Sequence, residues 1–188
     1  MNSTANGGGV AEMLQSLVRY LIGAGIDARW LVVDGSAEFF EVTKRIHNML
    51  HGGAPGDVQS LEPEDLWSYT GDVERAVVEL AGCLQPGDVA LLEDPQTANL
   101  APGLRAMDVG VVWRCHVGID AANQTARAAW DFLLPFVRAK QDDPKSPVRA
   151  YIYTHSGDKK YELLNYQGKP IADQHPELLM PKEKPGPK

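Results

Sequence analysis

The sequence predicts an α/β fold in which helices cover both faces of a parallel sheet. Short apolar runs of strand length alternate along the chain with longer segments of helical periodicity. The hydrophobic content of 44% over 188 residues is enough for one full domain core. Because alternating strands and helices pack as a parallel sheet between two helical layers, this order of elements indicates the fold class.

Four segments carry apolar residues at the three- and four-residue spacing of a helix that packs on a core. They are residues 10–22, 36–50, 63–83 and 121–138. Ser36 is a residue type that favours the N-cap of a helix. The inward stripe predicted for the second helix consists of Phe39, Val42, Ile46, Met49 and Leu50. We expect Pro135 to kink the last of the four helices.

The predicted strands are shorter and almost entirely apolar. They cover residues 28–33, 89–92 and 109–115, and residues 148–154 form one more strand. A turn at residues 85–88 leads into the second of these strands, and a short helix or loop near residues 97–106 leads into the third.

Composition excludes several classes of function. The net charge of −7, without a cluster of Lys or Arg, argues against nucleic acid as a partner. The longest apolar runs are too short to span a membrane, and residues 1–9 lack the basic and apolar regions of a signal peptide. Two cysteines without metal or disulfide spacing are typical of a reducing compartment, so we expect a cytoplasmic protein.

The chain divides into one domain and a different C-terminal segment. We expect the α/β domain to span residues 1–140. Residues 141–188 are expected to contain a linker, one strand and a polar, largely disordered tail.

Three consecutive glycines, Gly7, Gly8 and Gly9, lead directly into the first helix. A glycine loop before a helix lets backbone N–H groups approach phosphate or sugar oxygens closely, because no Cβ intervenes and the helix dipole favours negative charge. Such a loop normally follows a strand. Since Met1 lies where that strand would end, the sequence predicts that the first strand is truncated.

Polar or small residues stand at the carboxyl ends of four strands, the truncated first strand and the strands at 28–33, 89–92 and 109–115, where open α/β sheets bind ligands. They are Asn2-Ser3-Thr4, Asp34-Gly35, Glu93-Asp94-Pro95-Gln96 and Arg114-Cys115-His116. Loops are commonly polar, which is the alternative reading of any one strand end. The four ends together favour a sugar-sized polar site.

One face of the second helix carries Lys44, His47 and His51, with Asn48 beside them. This face is either solvated or a polar wall at the carboxyl edge of the sheet. His47 and His51 could also hold a metal, but no third ligand stands at a fixed spacing, so no metal is predicted. We interpret Cys115 and the tryptophans at positions 30, 113 and 130 as core residues.

Four strings of residues together resemble one family, the retaining trehalose-forming glycosyltransferases. The strings are Asn2-Ser3-Thr4-Ala5-x-Gly7-Gly8-Gly9-Val10-Ala11-Glu12, Glu38-Phe39-Phe40-x-Val42-Thr43-Lys44-x-x-His47-Asn48-x-Leu50-x-Gly52, Asp94-Pro95-Gln96 and Trp113-Arg114-Cys115-His116. The family comprises trehalose synthases, which join a nucleotide-activated glucose to free glucose, and trehalose phosphorylases. The resemblance covers residues 2–138 and, weakly, residues 148–154.

The resemblance implies a Rossmann-like domain, the N-terminal half of a GT-B fold, which holds the acceptor sugar. His116 and Asp94 are the residues it places at the reacting glucose, and Arg114 lies near them. It further implies that Gly7, Gly8 and Gly9 approach the donor diphosphate or the reacting sugars. Lys44, His47 and Asn48 would line the acceptor side, and Gln96 would bind glucose hydroxyls. No cofactor is implied, since the nucleotide-sugar donor is a substrate.

The chain departs from the family at several points. The family tends to have His where this chain has Glu93 and Gln where it has His51, and a second Rossmann-like domain is not expected in residues 156–188. We therefore expect a glycosyltransferase-like chain that needs a donor domain from a partner chain, or a homodimer. The alternative is a non-catalytic remnant or a sugar-binding module. Under both hypotheses the isolated chain is expected to be inactive in glucosyl transfer.

Overall fold

A computed structural model of the chain describes residues 1–53, 60–117, 124–137, 152–155 and 161–164. The chain separates into two compact units, Met1–Val148 and Arg149–Lys188. The helices described in the first unit are α1 (Gly9–Gly23), α2 (Ala37–Leu50), α3 (Pro63–Thr70), α4 (Val73–Ala81), α5 (Pro95–Ala98), α6 (Ala101–Ala106) and α7 (Gln124–Val137). Its strands are β1 (Val89–Glu93) and β2 (Gly110–Arg114). The predicted α/β class is confirmed.

Strands β1 and β2 form a two-stranded parallel sheet. The register places Val89 beside Gly110 at one end and Glu93 beside Arg114 at the other. The first residue of the chain lies along β1, because the Met1 nitrogen donates to the Leu91 carbonyl at 2.6 Å and Glu93 N donates to the Met1 carbonyl at 3.0 Å. The carboxyl ends of both strands therefore meet at the same edge.

The strand predicted over residues 28–33 is reduced to a single parallel bridge between Asn2 and Val32. Val33 N donates to the Asn2 carbonyl at 2.8 Å, and Asn2 N donates to the Leu31 carbonyl at 3.3 Å. This part of the prediction was wrong, because in the described chain Val32 forms an isolated bridge to Asn2 and the segment forms no regular strand. The chain segments lie in the order 31–33, 1–2, β1 and β2.

Helix α2 follows the prediction closely. Its N-cap is Ser36, whose side-chain oxygen accepts from Phe39 N at 3.2 Å. All five residues of the predicted inward stripe are buried. The helix therefore contributes one continuous apolar face to the core.

The single helix predicted over residues 63–83 is instead two helices, α3 and α4. The break falls at Gly71 and Asp72. Glycine weakens a helix at this point, and the Asp72 carboxylate accepts from Ser36 N at 2.8 Å. Because Ser36 begins α2, this tertiary hydrogen bond holds the break between α3 and α4 against the start of another helix.

Two hydrophobic clusters form the described core. The first joins α2 and α7 with Tyr69, Ala98 and Val117, and the second joins α4 and α6 with β1 and β2. Trp113 packs against both clusters. Tyr69 is fully buried, stacks on Phe39 with ring centroids 5.9 Å apart, and donates its hydroxyl to the Pro95 carbonyl at 2.5 Å.

Helix α7 runs through Pro135 and ends two residues later. Leu133 and Val137 are buried, whereas Leu134 and Trp130, which was predicted as a core residue, pack against the core while partly exposed. The remaining predicted helix positions, 121–123 and 138, lie outside the described residues.

In the second unit, β3 (Ile152–His155) pairs antiparallel with β4 (Tyr161–Leu164). Strand β3 overlaps the strand predicted over residues 148–154. Strand β4 was not predicted, because the sequence after His155 is too polar to give a clear strand pattern. The predicted linker and the predicted disordered tail lie outside the described residues.

None of the helices that the structure describes combines the length and the apolar character required to cross a bilayer.

Candidate functional site

The carboxyl ends of β1 and β2 meet in a buried ion pair. Glu93 ends β1, Arg114 ends β2, and the two residues are neighbours in the register. Arg114 Nε donates to Glu93 Oε2 at 2.9 Å, and Arg114 Nη2 donates to Glu93 Oε1 at 2.6 Å. The Glu93 side chain has no exposed surface, whereas 39% of the Arg114 side chain is exposed. Since a buried carboxylate must be paired, Arg114 is what allows Glu93 to lie inside.

Two successive carboxylates fix His116, which follows β2. The His116 Nε2 atom lies 2.8 Å from Glu93 Oε2, and His116 N donates to Asp94 Oδ1 at 2.7 Å. About a third of the imidazole side chain, 31%, remains exposed. Glu93, Asp94, Arg114 and His116 are called the strand-end cluster below. Three of its four members were predicted as site residues.

Asp94 has a strained backbone. Its φ of 64° and ψ of 176° lie in a region that is essentially restricted to glycine. The conformation is held because Asp94 N donates to the Arg114 carbonyl at 2.8 Å and the Asp94 carbonyl accepts from Trp113 Nε1 at 2.9 Å. Strain of this kind persists where the surroundings enforce it, and it concentrates at functional sites.

The Asp94 carboxyl is partly withdrawn from solvent. Burial raises its pKa above the ordinary value for an aspartic acid, and the hydrogen bond from His116 N opposes that increase. That bond goes to Asp94 Oδ1, whereas Asp94 Oδ2 has no hydrogen-bond donor within the part of the chain that is described. The carboxylate therefore offers an open acceptor oxygen at the edge of the sheet.

His47 on α2 is electrostatically coupled to Asp94. Burial lowers the pKa of the His47 imidazole, the neighbouring His51 lowers it further, and the Asp94 carboxylate opposes the decrease. The two imidazole rings have centroids 5.0 Å apart. His47 is therefore neutral at pH 7 and can exchange hydrogen bonds as donor or acceptor.

The lowered pKa of His47 predicts a pH dependence. Below the ordinary histidine value of about 6.5, the folded chain binds fewer protons at His47 than the unfolded chain does. Stability should therefore rise with pH from the lowered pKa up to that value. Ring proton–carbon correlation spectra recorded against pH measure the titration directly. We expect His51→Gln to raise the His47 midpoint, and a His47 midpoint at or above the ordinary value would contradict the assignment.

The glycine loop lies open to solvent at the start of α1. Gly7 and Gly8 have φ values of 77° and 84°, and a Cβ added at any of the three glycines would meet nothing within 4 Å. Met13, one turn into α1, accepts at Sδ from Arg114 Nη2 at 3.6 Å. The helix that follows the loop therefore contacts the strand-end cluster.

The other predicted site residues are not drawn into that cluster. Lys44 and Asn48 are exposed on α2, and Gln96 is half-buried on α5. Among the residues described, no hydrogen bond joins any of these three to the strand-end cluster. Their roles in binding stay predictions.

Glu93 is the member of the strand-end cluster that sequence reasoning did not predict as a site residue. The sequence shows it only as part of a polar strand end and as a departure from the family pattern. The available signal was a charged residue closing an otherwise apolar, buried strand, which requires a partner of opposite charge. Arg114 closes the next strand in the same way.

Two other chemistries find little support among the described side chains. Burial raises the pKa of the Cys115 thiol to about 12, and the thiol donates to the Val117 carbonyl at 3.1 Å. A thiol of this kind is a poor nucleophile. No group of three or more His, Cys, Asp or Glu side chains in the described ranges is placed to hold a metal ion.

Comparison with known proteins identifies the family. Residues 1–146 match the family described as trehalose synthase, N-terminal domain. The chain is 33% identical over 178 residues to a trehalose synthase from Pyrococcus horikoshii, which covers 95% of this chain and 40% of that protein. It is 34% identical over 153 residues to a trehalose synthase from Rubrobacter xylanophilus, covering 80% and 35% of the two chains.

A trehalose phosphorylase from Pleurotus pulmonarius is 30% identical over 176 residues, covering 87% of this chain and 24% of its own. The motifs resemble the family mainly over residues 2–138. The match to the Pyrococcus protein extends well beyond that range, because it covers 95% of the chain. The chain spans about two fifths of the length of that relative, 40%. The chain therefore belongs to the trehalose synthase family and corresponds to its N-terminal domain.

Proposed function

We propose that the α/β domain of this chain is the acceptor-side, Rossmann-like half of a retaining GT-B glycosyltransferase. The reaction is the transfer of glucose from a nucleotide-glucose to free glucose. One observation carries the proposal: the strand-end cluster presents partly exposed polar groups at the carboxyl edge of a parallel sheet. The relatives named trehalose synthase support the choice of sugar.

The cluster suits the recognition of neutral hydroxyl groups. A hydroxyl can donate to the open oxygen of Asp94, and the exposed part of the Arg114 guanidinium can donate to a hydroxyl or ring oxygen. A site built from buried polar groups discriminates strongly between sugars, because a sugar that lacks one hydroxyl leaves a site group unpaired. His116 and Asp94 are proposed to contact the reacting glucose.

The remaining predicted residues complete this proposal. Gly7, Gly8 and Gly9 would offer backbone N–H groups to a donor diphosphate, as open glycine loops before helices do. Lys44, His47 and Asn48 on α2 would line the acceptor side, with Gln96 on α5 opposite them.

The donor sugar is proposed to bind to a second Rossmann-like domain, in the same polypeptide or in a partner chain. A homodimer is the other assembly consistent with this scheme. We place the reaction in the cytoplasm, since both cysteines, Cys83 and Cys115, are free thiols.

Glucose titration of the full chain tests the proposal. Amide resonances of Asp94 and His116 should shift on addition of glucose. Asp94→Asn should weaken binding by about 10- to 100-fold, which corresponds to about 1.5–3 kcal/mol for a hydrogen bond to a charged group. Calorimetry or the same amide shifts give the dissociation constant.

Asp27→Asn is the matched control. Asp27 is highly exposed, and it lies just before the segment 31–33 that pairs with Asn2. It is far in sequence from the residues of the strand-end cluster. Glucose affinity should be unchanged in this variant. Amide resonances of Asp94 and His116 that do not shift at high glucose concentration would contradict the proposed site. An equal glucose affinity of Asp94→Asn and the wild type would contradict it as well.

A further inference from the structure

Glu93 belongs to the strand-end cluster, yet it has no exposed surface through which to touch a ligand. Both of its carboxylate oxygens face Arg114 and His116. We propose that Glu93 is a positioning residue that fixes His116 as the Nε2–H tautomer and leaves Nδ1 as the acceptor for a glucose hydroxyl. The identity of this ligand rests on the proposed function, whereas the tautomer does not.

The hydrogen bonds of the cluster determine which nitrogen of the ring faces the carboxylate as a donor. A guanidinium is always charged, and Arg114 donates to both Oε1 and Oε2 of Glu93. Arg114 therefore supplies the charge that balances the buried carboxylate. Because a carboxylate oxygen only accepts hydrogen bonds, the ring nitrogen 2.8 Å from it must carry the proton. A neutral imidazole protonated at Nε2 has its free lone pair on Nδ1.

The position of the ring is fixed at two points. His116 N is held by Asp94 Oδ1 at 2.7 Å, and the ring is held by Glu93. The Asp94 backbone is itself fixed by the hydrogen bond from Trp113 Nε1. Glu93 thus sets both the orientation and the tautomer of an imidazole that is still 31% exposed.

The consequence is a pair of acceptors at the edge of the sheet. Within the described chain, His116 Nδ1 has no hydrogen-bond partner, and neither has Asp94 Oδ2. Two acceptors placed on neighbouring strand ends match a sugar that presents two hydroxyl donors. The opposite tautomer would present a donor at Nδ1 and would place an acceptor nitrogen against the Glu93 carboxylate.

Nitrogen-15 NMR of the uniformly labelled full chain tests the tautomer. Long-range proton–nitrogen correlations of the ring distinguish a protonated ring nitrogen from an unprotonated one. We expect Nε2–H for His116 in the wild type, with or without glucose. Glu93→Gln would not separate the tautomers, because an amide oxygen at the Oε2 position can still accept from both Arg114 Nε and the ring. In Glu93→Leu, which removes both acceptor oxygens, the ring loses the partner that selects one tautomer, and Nδ1–H should become populated.

The same variant should lose about tenfold in glucose affinity, the equivalent of about one hydrogen bond. Glu93→Asp, which keeps a carboxylate, should retain the Nε2–H tautomer. Glu79→Gln on α4 is the matched control, since Glu79 is exposed, and it should change neither the tautomer nor the affinity.

A wild-type His116 found as Nδ1–H or as imidazolium at neutral pH would overturn the proposal. A folded Glu93→Leu chain with an unchanged tautomer would overturn it as well. The wild-type spectrum decides the matter even where Glu93→Leu does not fold. The wild type could show His116 as Nε2–H and yet bind no glucose. That result would contradict the proposed function and would still support the positioning role of Glu93.

Discussion

Glu93→Ala is expected to lower the free energy of unfolding by about 3 kcal/mol, because it removes one partner of a buried ion pair. The substitution leaves the Arg114 guanidinium without its two charge-assisted hydrogen bonds, and it leaves the His116 ring without its carboxylate. Because Arg114 is partly exposed, water can replace some of its lost hydrogen bonds. We therefore expect a loss of stability at the lower end of the range for buried ion pairs. Urea-induced unfolding followed by circular dichroism measures this loss.

Glu79→Ala is the control for the loss of a glutamate as such, and an exposed position of this kind should change stability by less than about 0.5 kcal/mol. A double-mutant cycle with Arg114→Ala measures the interaction energy of the Glu93–Arg114 pair. The loss of stability in the double variant should be smaller than the sum of the losses in the two single variants. A Glu93→Ala chain as stable as the wild type would show that the buried carboxylate contributes no net stability.

Asp94→Ala is expected to be less stable than Asp94→Gly by about 1–3 kcal/mol, the cost of a strained backbone at a residue that carries a Cβ. Both substitutions remove the carboxylate that accepts from His116 N. The difference in stability between the two variants therefore measures the backbone strain alone. The reason is the φ of 64° with ψ of 176°, which glycine adopts freely. Thermal or urea unfolding of the two variants gives the difference.

The same pair of substitutions at Asp131 should give the opposite order. Asp131 lies within α7, where glycine is less favourable than alanine by about 0.5–1 kcal/mol. Reversal of the order between Asp94 and Asp131 would distinguish local strain from a general effect of glycine. Equal stabilities of Asp94→Ala and Asp94→Gly would contradict the strained conformation.

The parts of the fold that could be predicted are those determined by short stretches of sequence. Helix α2 has its N-cap and its apolar stripe within residues 36–50, and both are confirmed. The break between α3 and α4 depends on a hydrogen bond from Ser36 N to Asp72, whose two residues are 36 positions apart. No local pattern reports such a contact. Likewise, the apolar run at residues 28–33 meets Asn2 at an isolated bridge, and its own pattern does not show how it will pair.

The candidate site shows the same division. Asp94, Arg114 and His116 were predicted to lie together because parallel strands present their carboxyl ends at one edge of a sheet. The role of Glu93 needed the strand register, which sets its side chain opposite Arg114. The positions of side chains on separate helices, such as Lys44 and Gln96, depend on how the helices are oriented and on whether a ligand is bound. Residue spacing determines neither of these.

Tyr69 links the hydrophobic core to the backbone at the end of β1. Its ring stacks on Phe39 in the core, and its hydroxyl holds the Pro95 carbonyl, one residue beyond the strained Asp94. Asn99 in turn donates to the Tyr69 carbonyl at 2.7 Å. Tyr69 therefore contributes to core packing and to the backbone shape of the strand end at once. A change of its ring alters both, whereas loss of the hydroxyl alone frees the Pro95 carbonyl and leaves the ring stacking in place.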